Sequence, residues 1–273
     1  AQLRANSWML MTGSFGMVAS TLPVQWLMPL VGWRPLFWGL ALAIGIAMAV
    51  IAWKVPRWEV VAPDPNAGPV SYAQVWRHPY LRKVAPIGFF SYGGMIAFQT
   101  LWAGPWMVRV AGYAPLKAAT GLFIINLCML CTFWGWGMIN PWLAKRGLTT
   151  DRLIARGLPL SFIALATLII AGPRAGAPAL AVFCMTSSVV ALAQPAVGMA
   201  FSPALAGRAL TAFNLALFSG VFVVQWGIGL LIDGFMALGL PEVASFRAAM
   251  AVFLACSVMS YGHFLLAKDN SRR

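Results

Sequence analysis

Six carboxamide side chains stand inside long apolar runs and away from their ends: Gln25, Gln99, Asn126, Gln194, Asn214 and Gln225. An amide in hydrocarbon needs a hydrogen-bond partner, so each must face another helix or a wet cavity. Two uses follow, interhelical bonding or contact with a bound solute, and the sequence leaves both open. Titratable groups are sparser. No Asp, Glu or His lies near the middle of an apolar run; Asp233 falls at the end of one, beside Gly234, and His263 close to the end of the last. An ionisable group at membrane depth is a functional residue by default, and no proton-coupling carboxylate of that kind is visible here. Cys128 and Cys131 place two sulfurs on one helix face, but a metal would need further ligands. No metal or other cofactor is expected, and no Gly-x-x-x-x-Gly-Lys-Ser/Thr loop provides for ATP.

The run F-S-Y-G-G-M-I-A-F-Q-T-L-W-A-G-P-W, ending at Trp106, holds the strongest constellation. Gly93-Gly94 in its middle and Gly104-Pro105 near its end weaken a helix locally. A bendable helix is a place to open and shape a site. Tyr92, Gln99 and Trp102 surround the weak point and share one helical face at spacings near seven and three. An aromatic wall with one amide suits a small organic solute.

The elements that hold these residues follow from composition. The chain has 273 residues, 61% of them hydrophobic and 9% charged, with a formal charge of +13. A soluble domain carries about 25% charged residues. So few charges cannot cover a water-facing surface, which excludes a soluble enzyme, a nucleic-acid module and a disordered chain. Eight stretches free of Asp, Glu, Lys and Arg are long enough to cross a bilayer core of about 30 Å: residues 5–33, 35–53, 84–108, 118–144, 157–173, 175–207, 209–232 and 248–267. Their Leu, Ala, Val, Ile, Met, Phe and Gly content and their lack of alternation argue against a β-barrel. Backbone groups in lipid must pair within the segment, so the spans are helices. The expected fold is an all-α membrane protein with eight transmembrane helices.

Charge gives the orientation. With alternate connections assigned to alternate sides, one side carries 14 Lys/Arg and the other 5. The richer side is cytoplasmic by the positive-inside rule, which places both termini of this chain there. Between the second and third runs, Pro56, Pro63, Pro65 and Pro69 with Asp64, Asn66 and Gly68 make a linker. The segment 71–83 then alternates Tyr72, Val75, Trp76, Tyr80 and Leu81 with Arg77, Arg82 and Lys83, which reads as a short interfacial helix on anionic headgroups, interrupted near Pro79; an ordinary basic loop fits it equally. A faint repeat joins Val24-Gln25-Trp26 to Val224-Gln225-Trp226, with Leu30 matching Leu230, so the last two spans look like a second copy of the first two.

These features together resemble the major facilitator superfamily of secondary transporters. Gly32-Trp33-Arg34-Pro35-Leu36-Phe37-Trp38 resembles the start of that family's sixth helix, the long linker falls where its two bundles are joined, and Gly207-Arg208-Ala209-Leu210 resembles the start of its eleventh. In the segment from Gly137 to Arg146, where the family often carries Gly-x-x-x-Asp-Arg-x-Gly-Arg-Arg, Gly137, Lys145 and Arg146 fit, while Pro141, Trp142 and Ala144 depart from the pattern. The resemblance covers nearly the whole chain, aligned with helices five to twelve. It implies an incomplete two-bundle fold: residues 1–55 as two helices of the first bundle, 56–83 as the central cytoplasmic loop, and 84–273 as a complete six-helix second bundle.

The chain opens on Ala1 without a leader pattern, and reads as a fragment or processed product that lacks the first four helices of that fold. The resemblance implies a cavity lined by the third and sixth spans. That favours Gln99 and Gln194, then Asn126 and Asn214 on flanking helices, with Tyr92 and Trp102 as the aromatic wall. Gly93 and Gly94 are the candidates for helix flexibility, and Lys145 and Arg146 for gating. The function implied is transport of a small solute across the cell inner membrane by alternating access, with a proton or other ion as a coupling partner; any proton-carrying group would sit on the absent helices. The alternative is a membrane sensor or scaffold that keeps the fold without transport. A membrane-embedded enzyme would need clustered His or carboxylates that the sequence does not supply.

Overall fold

The computed structural model describes residues 12–13, 15–54 and 72–267. It is 91% helical, with no strand among the described residues. Nine helices are named here. α1 is Leu22–Val31 and α2 Trp33–Lys54; α3 is the short Tyr72–Arg77. Six longer helices follow: α4 Pro79–Val110, α5 Pro115–Lys145, α6 Thr150–Arg174, α7 Ala177–Ala200, α8 Pro203–Ala237 and α9 Glu242–Leu266. Seven of the nine, α2 and α4 to α9, are long and apolar enough to cross a membrane. The first expected span, 5–33, lies partly outside the described residues. Its described part is broken by a turn at Ser20 and Thr21, whose hydroxyls donate to Met17 O and Val18 O. The proline-rich linker, 56–69, lies outside the described residues.

Charge-free windows place the helices but misplace their ends. α4 begins at Pro79 rather than Val84, α6 at Thr150 rather than Gly157, and α9 at Glu242 rather than Ala248. The windows end at the first charge, whereas Arg and Lys in a terminal turn run their stems along apolar surface and keep their heads in water. The window 175–207 also runs past a real break: α7 stops at Ala200, and Ser202 followed by Pro203 starts α8, so Arg208 lies inside a helix and not in a loop. Proline at a first helical position forfeits no hydrogen bond.

The interruption near Pro79 falls where the sequence places it. His78 stands between α3 and α4 and accepts a hydrogen bond from Tyr80 N, at 3.3 Å. The second half of the expected interfacial helix, however, is the first turn of α4, with Tyr80 and Leu81 buried. Lys83 bonds the Asp151 carboxylate at 2.8 Å instead of facing headgroups, and Tyr80 Oη donates to the same group at 3.0 Å.

At that end of the helices His263 meets Arg82 O, and Tyr261 Oη meets Ala155 O. At the other end Trp106 Nε1 donates to Ala175 O at 2.9 Å, Arg109 pairs with Glu242, and Arg247 Nε donates to Ile169 O at 2.7 Å. The starts of α4 and α6 thus gather with the end of α9, and the end of α4 with the starts of α7 and α9. Consecutive long helices therefore run in alternating directions.

α4 and α7 are the most enclosed helices, with 61% and 78% of their most apolar stretches buried. α4 is also the least regular. It alternates α turns with π turns at Gly88–Tyr92, Phe98–Trp102 and Trp106–Val110. Its neighbour across the core is α8. A Cβ on Gly93 would lie 2.8 Å from Leu217 O and 2.9 Å from Val221 N, and one on Gly220 would strike the Phe89 carbonyl. The two backbones therefore touch, which only glycine permits. Phe98, Phe183 and Phe253 stack edge to face beside this crossing. α2, by contrast, has no buried residue. At about 1.5 Å per residue its 22 residues match the bilayer core, and most of its Leu, Ile and Trp side chains are exposed.

Candidate functional site

Four of the six amides that the sequence marks are brought together in two pairs, and a fifth, Gln225, meets a threonine. Gln99 Nε2 donates to Asn126 Oδ1 at 2.7 Å, joining α4 to α5, and Asn126 Nδ2 donates to Leu122 O at 3.0 Å. Gln194 Nε2 donates to Asn214 Oδ1 at 2.8 Å, joining α7 to α8. Gln225 Nε2 donates to Thr100 Oγ1 at 3.0 Å, joining α8 to α4. Each pair satisfies groups that would otherwise be costly in hydrocarbon, so interhelical bonding is the use all three share.

Both members of the first pair, and Thr100 of the third, also line a cavity. A partly open space of about 430 Å³ lies between the first helices and α4 and α5. Gln99, Thr100 and Asn126 form its bundle wall, with Ala119 and Leu122; Gln25, Ser20 and Thr21 face them. Met17, Val24, Met28 and Pro29 complete an otherwise apolar lining. No charged side chain lines it among the described residues. Gln99 and Asn126 each lie eleven residues from the loop that joins α4 to α5, about 16 Å along their axes. That is close to the middle of a bilayer core. The hydrogen bonds of the pair use Gln99 Nε2 and both polar atoms of Asn126, so Gln99 Oε1 remains to accept from a guest.

The other candidates lie elsewhere. Gln194, Asn214, Tyr92 and Trp102 do not line this cavity. Tyr92 is buried in the core. Trp102 Nε1 donates to Gln225 O at 3.1 Å, and its ring meets Phe246 edge to face. The shared face expected for Tyr92, Gln99 and Trp102 is therefore not what α4 presents: Gln99 turns to α5 and Trp102 to α8 and α9. The π turn Phe98–Trp102 adds a residue to that turn and shifts every later side chain out of the regular helical phase.

Gly93 and Gly94 sit at close helix contacts, Gly94 directly against the Phe253 ring. Lys145 ends α5, exposed, and Arg146 lies over the Trp142 ring, 3.9 Å from its centre. Thr100, Ser20 and Thr21 were not singled out by sequence reasoning. The signal available was their adjacency to Gln99 and to the turn before Pro23, and hydroxyls in helices are too often bonded to their own backbone to stand out.

No protein-family model matches the chain, and no curated protein matches it.

Proposed function

We propose that this protein moves a small uncharged solute across the cell inner membrane by alternating access, as a major-facilitator-type secondary transporter. In this reading eight helices span the bilayer, residues 1–55 belong to a first bundle and 84–273 to a second, and both termini of the chain face the cytoplasm. The observation that carries it is the cavity at Gln99 and Asn126. It lies between the first helices and α4 and α5, and in this reading it sits near mid-membrane depth, where rocking of two bundles would expose one site to each face in turn. Its amides and hydroxyls offer hydrogen bonds and its lining has no charge among the described residues to balance an ion, so the reading favours a neutral guest with one apolar side. Coupling to a proton or another ion completes the proposal.

Alternating access can be tested before the solute is known. Thr100 and Ser20 are exposed in the cavity. With Cys128, Cys131, Cys184 and Cys256 replaced by serine or alanine, Thr100→Cys and Ser20→Cys in sealed vesicles should each react with a membrane-impermeant maleimide applied from either side. Labelling from one side only would overturn the transport mechanism and favour the sensor or scaffold. A thermal-shift screen of neutral polar solutes then supplies ligands. For any that stabilises the protein, Gln99→Leu should weaken binding roughly tenfold, the value of one lost hydrogen bond, while Gln194→Leu should leave affinity unchanged. Equal effects from the two variants would remove the cavity from the proposal.

A further inference from the structure

Four serines from four helices line one small, partly open void: Ser91 on α4, Ser161 on α6, Ser187 on α7 and Ser257 on α9. Phe162, Leu165, Phe183 and Phe253 make up the rest of its lining. The void measures about 10 Å³, the room that one water molecule needs.

The hydroxyls divide into two kinds. Ser161 Oγ donates to Leu158 O at 2.7 Å, and Ser187 Oγ donates to Phe183 O at 2.8 Å. Their protons are engaged, and their oxygens remain as acceptors. Ser91 Oγ and Ser257 Oγ are buried and have no hydrogen-bond partner among the described residues. The two residues are only 5% and 3% exposed, and each holds a free proton. A buried hydroxyl left unpaired costs about 1–3 kcal/mol, so two around one void call for a ligand.

We infer that this void binds a single water molecule, independently of the transport reading. The water accepts from Ser91 and Ser257 and donates to Ser161 and Ser187. Its two lone pairs and two protons match the two donors and two acceptors around it. A monovalent cation fits less well. It would use oxygens only, turn the Ser91 and Ser257 protons toward apolar neighbours, and sit in a low dielectric with no carboxylate in the lining to balance it. Bound there, the water ties irregular α4, whose Ser91 lies in the π turn Gly88–Tyr92, to three neighbouring helices.

The test is a structure of the protein in lipid nanodiscs, at a resolution that shows ordered water, with and without thallium(I). One peak within hydrogen-bonding distance of all four Oγ atoms, unchanged by thallium, is the expected result. Thallium scattering at that place would make the site a cation site and overturn the inference. So would no peak, with Ser91 and Ser257 turned onto carbonyls of their own helices. Ser91→Ala and Ser257→Ala give a second readout. Each should lower the melting temperature by about 2–4 °C, and the double variant by clearly less than the sum, because one change already releases the shared water. Strict additivity would contradict a shared ligand.

Discussion

Gly220→Val is expected to destabilise the folded protein severely, whereas Gly227→Val is expected to leave it intact. The two glycines lie on the same helix, two turns apart, and differ in what they face. A Cβ at Gly220 would land on the Phe89 carbonyl; one at Gly227 would meet nothing within 4 Å. The obstruction at Gly220 is backbone, so no rotamer change relieves it, and α8 must move away from α4. Separation would also open the contact of Gly93 with Leu217 O and Val221 N. Overpacking against side chains costs about 1–3 kcal/mol; backbone obstruction at the central crossing should reach or exceed the upper figure, a fall of at least about 6–12 °C in melting temperature.

Gly94→Ala is the milder companion, because it meets the Phe253 ring, and Phe253→Leu should restore part of its loss. Intrinsic tryptophan fluorescence during heating in detergent, with the size-exclusion profile, measures all of these. Equal melting temperatures for Gly220→Val and Gly227→Val would show that α4 and α8 do not cross here.

The second large effect belongs to the ion pair between α4 and α6. Lys83 and Asp151 are 2.8 Å apart, with side chains only 12% and 16% exposed. Tyr80 donates to the same carboxylate, and the Lys83 ammonium stands 4.8 Å from the centre of the Phe264 ring on α9. Three helices are thus joined at one end. Removing one partner from a fully buried pair costs about 3–5 kcal/mol; partial exposure here lowers that to about 2–3 kcal/mol for Lys83→Met or Asp151→Leu. The double variant should recover much of the loss, since it leaves no unpaired charge. A double-mutant cycle on unfolding free energies checks this, with a coupling of about 1–2 kcal/mol expected. A coupling near zero would mean that solvent screens the pair.

Composition and spacing are enough to read a helical chain suited to lipid, and approximately where its long helices lie. Apolar runs, their lengths and the charges between them are one-dimensional properties, and the bilayer's thickness and the need to pair backbone groups act on each segment separately. The helix break at Pro79 was legible for the same reason, since proline acts on its own residues. Which marked residues meet depends on how the helices pack. Gln99 finds Asn126 and Gln194 finds Asn214 across helix interfaces, a matter of rotation and depth that no single helix encodes. The π turns of α4 put Gln99 and Trp102 on different faces, because a regular period ceases to predict direction once a turn gains a residue. The four serines that line the small void lie far apart in the chain and are unremarkable one by one. Their complementary donors and acceptors exist only where four helices converge.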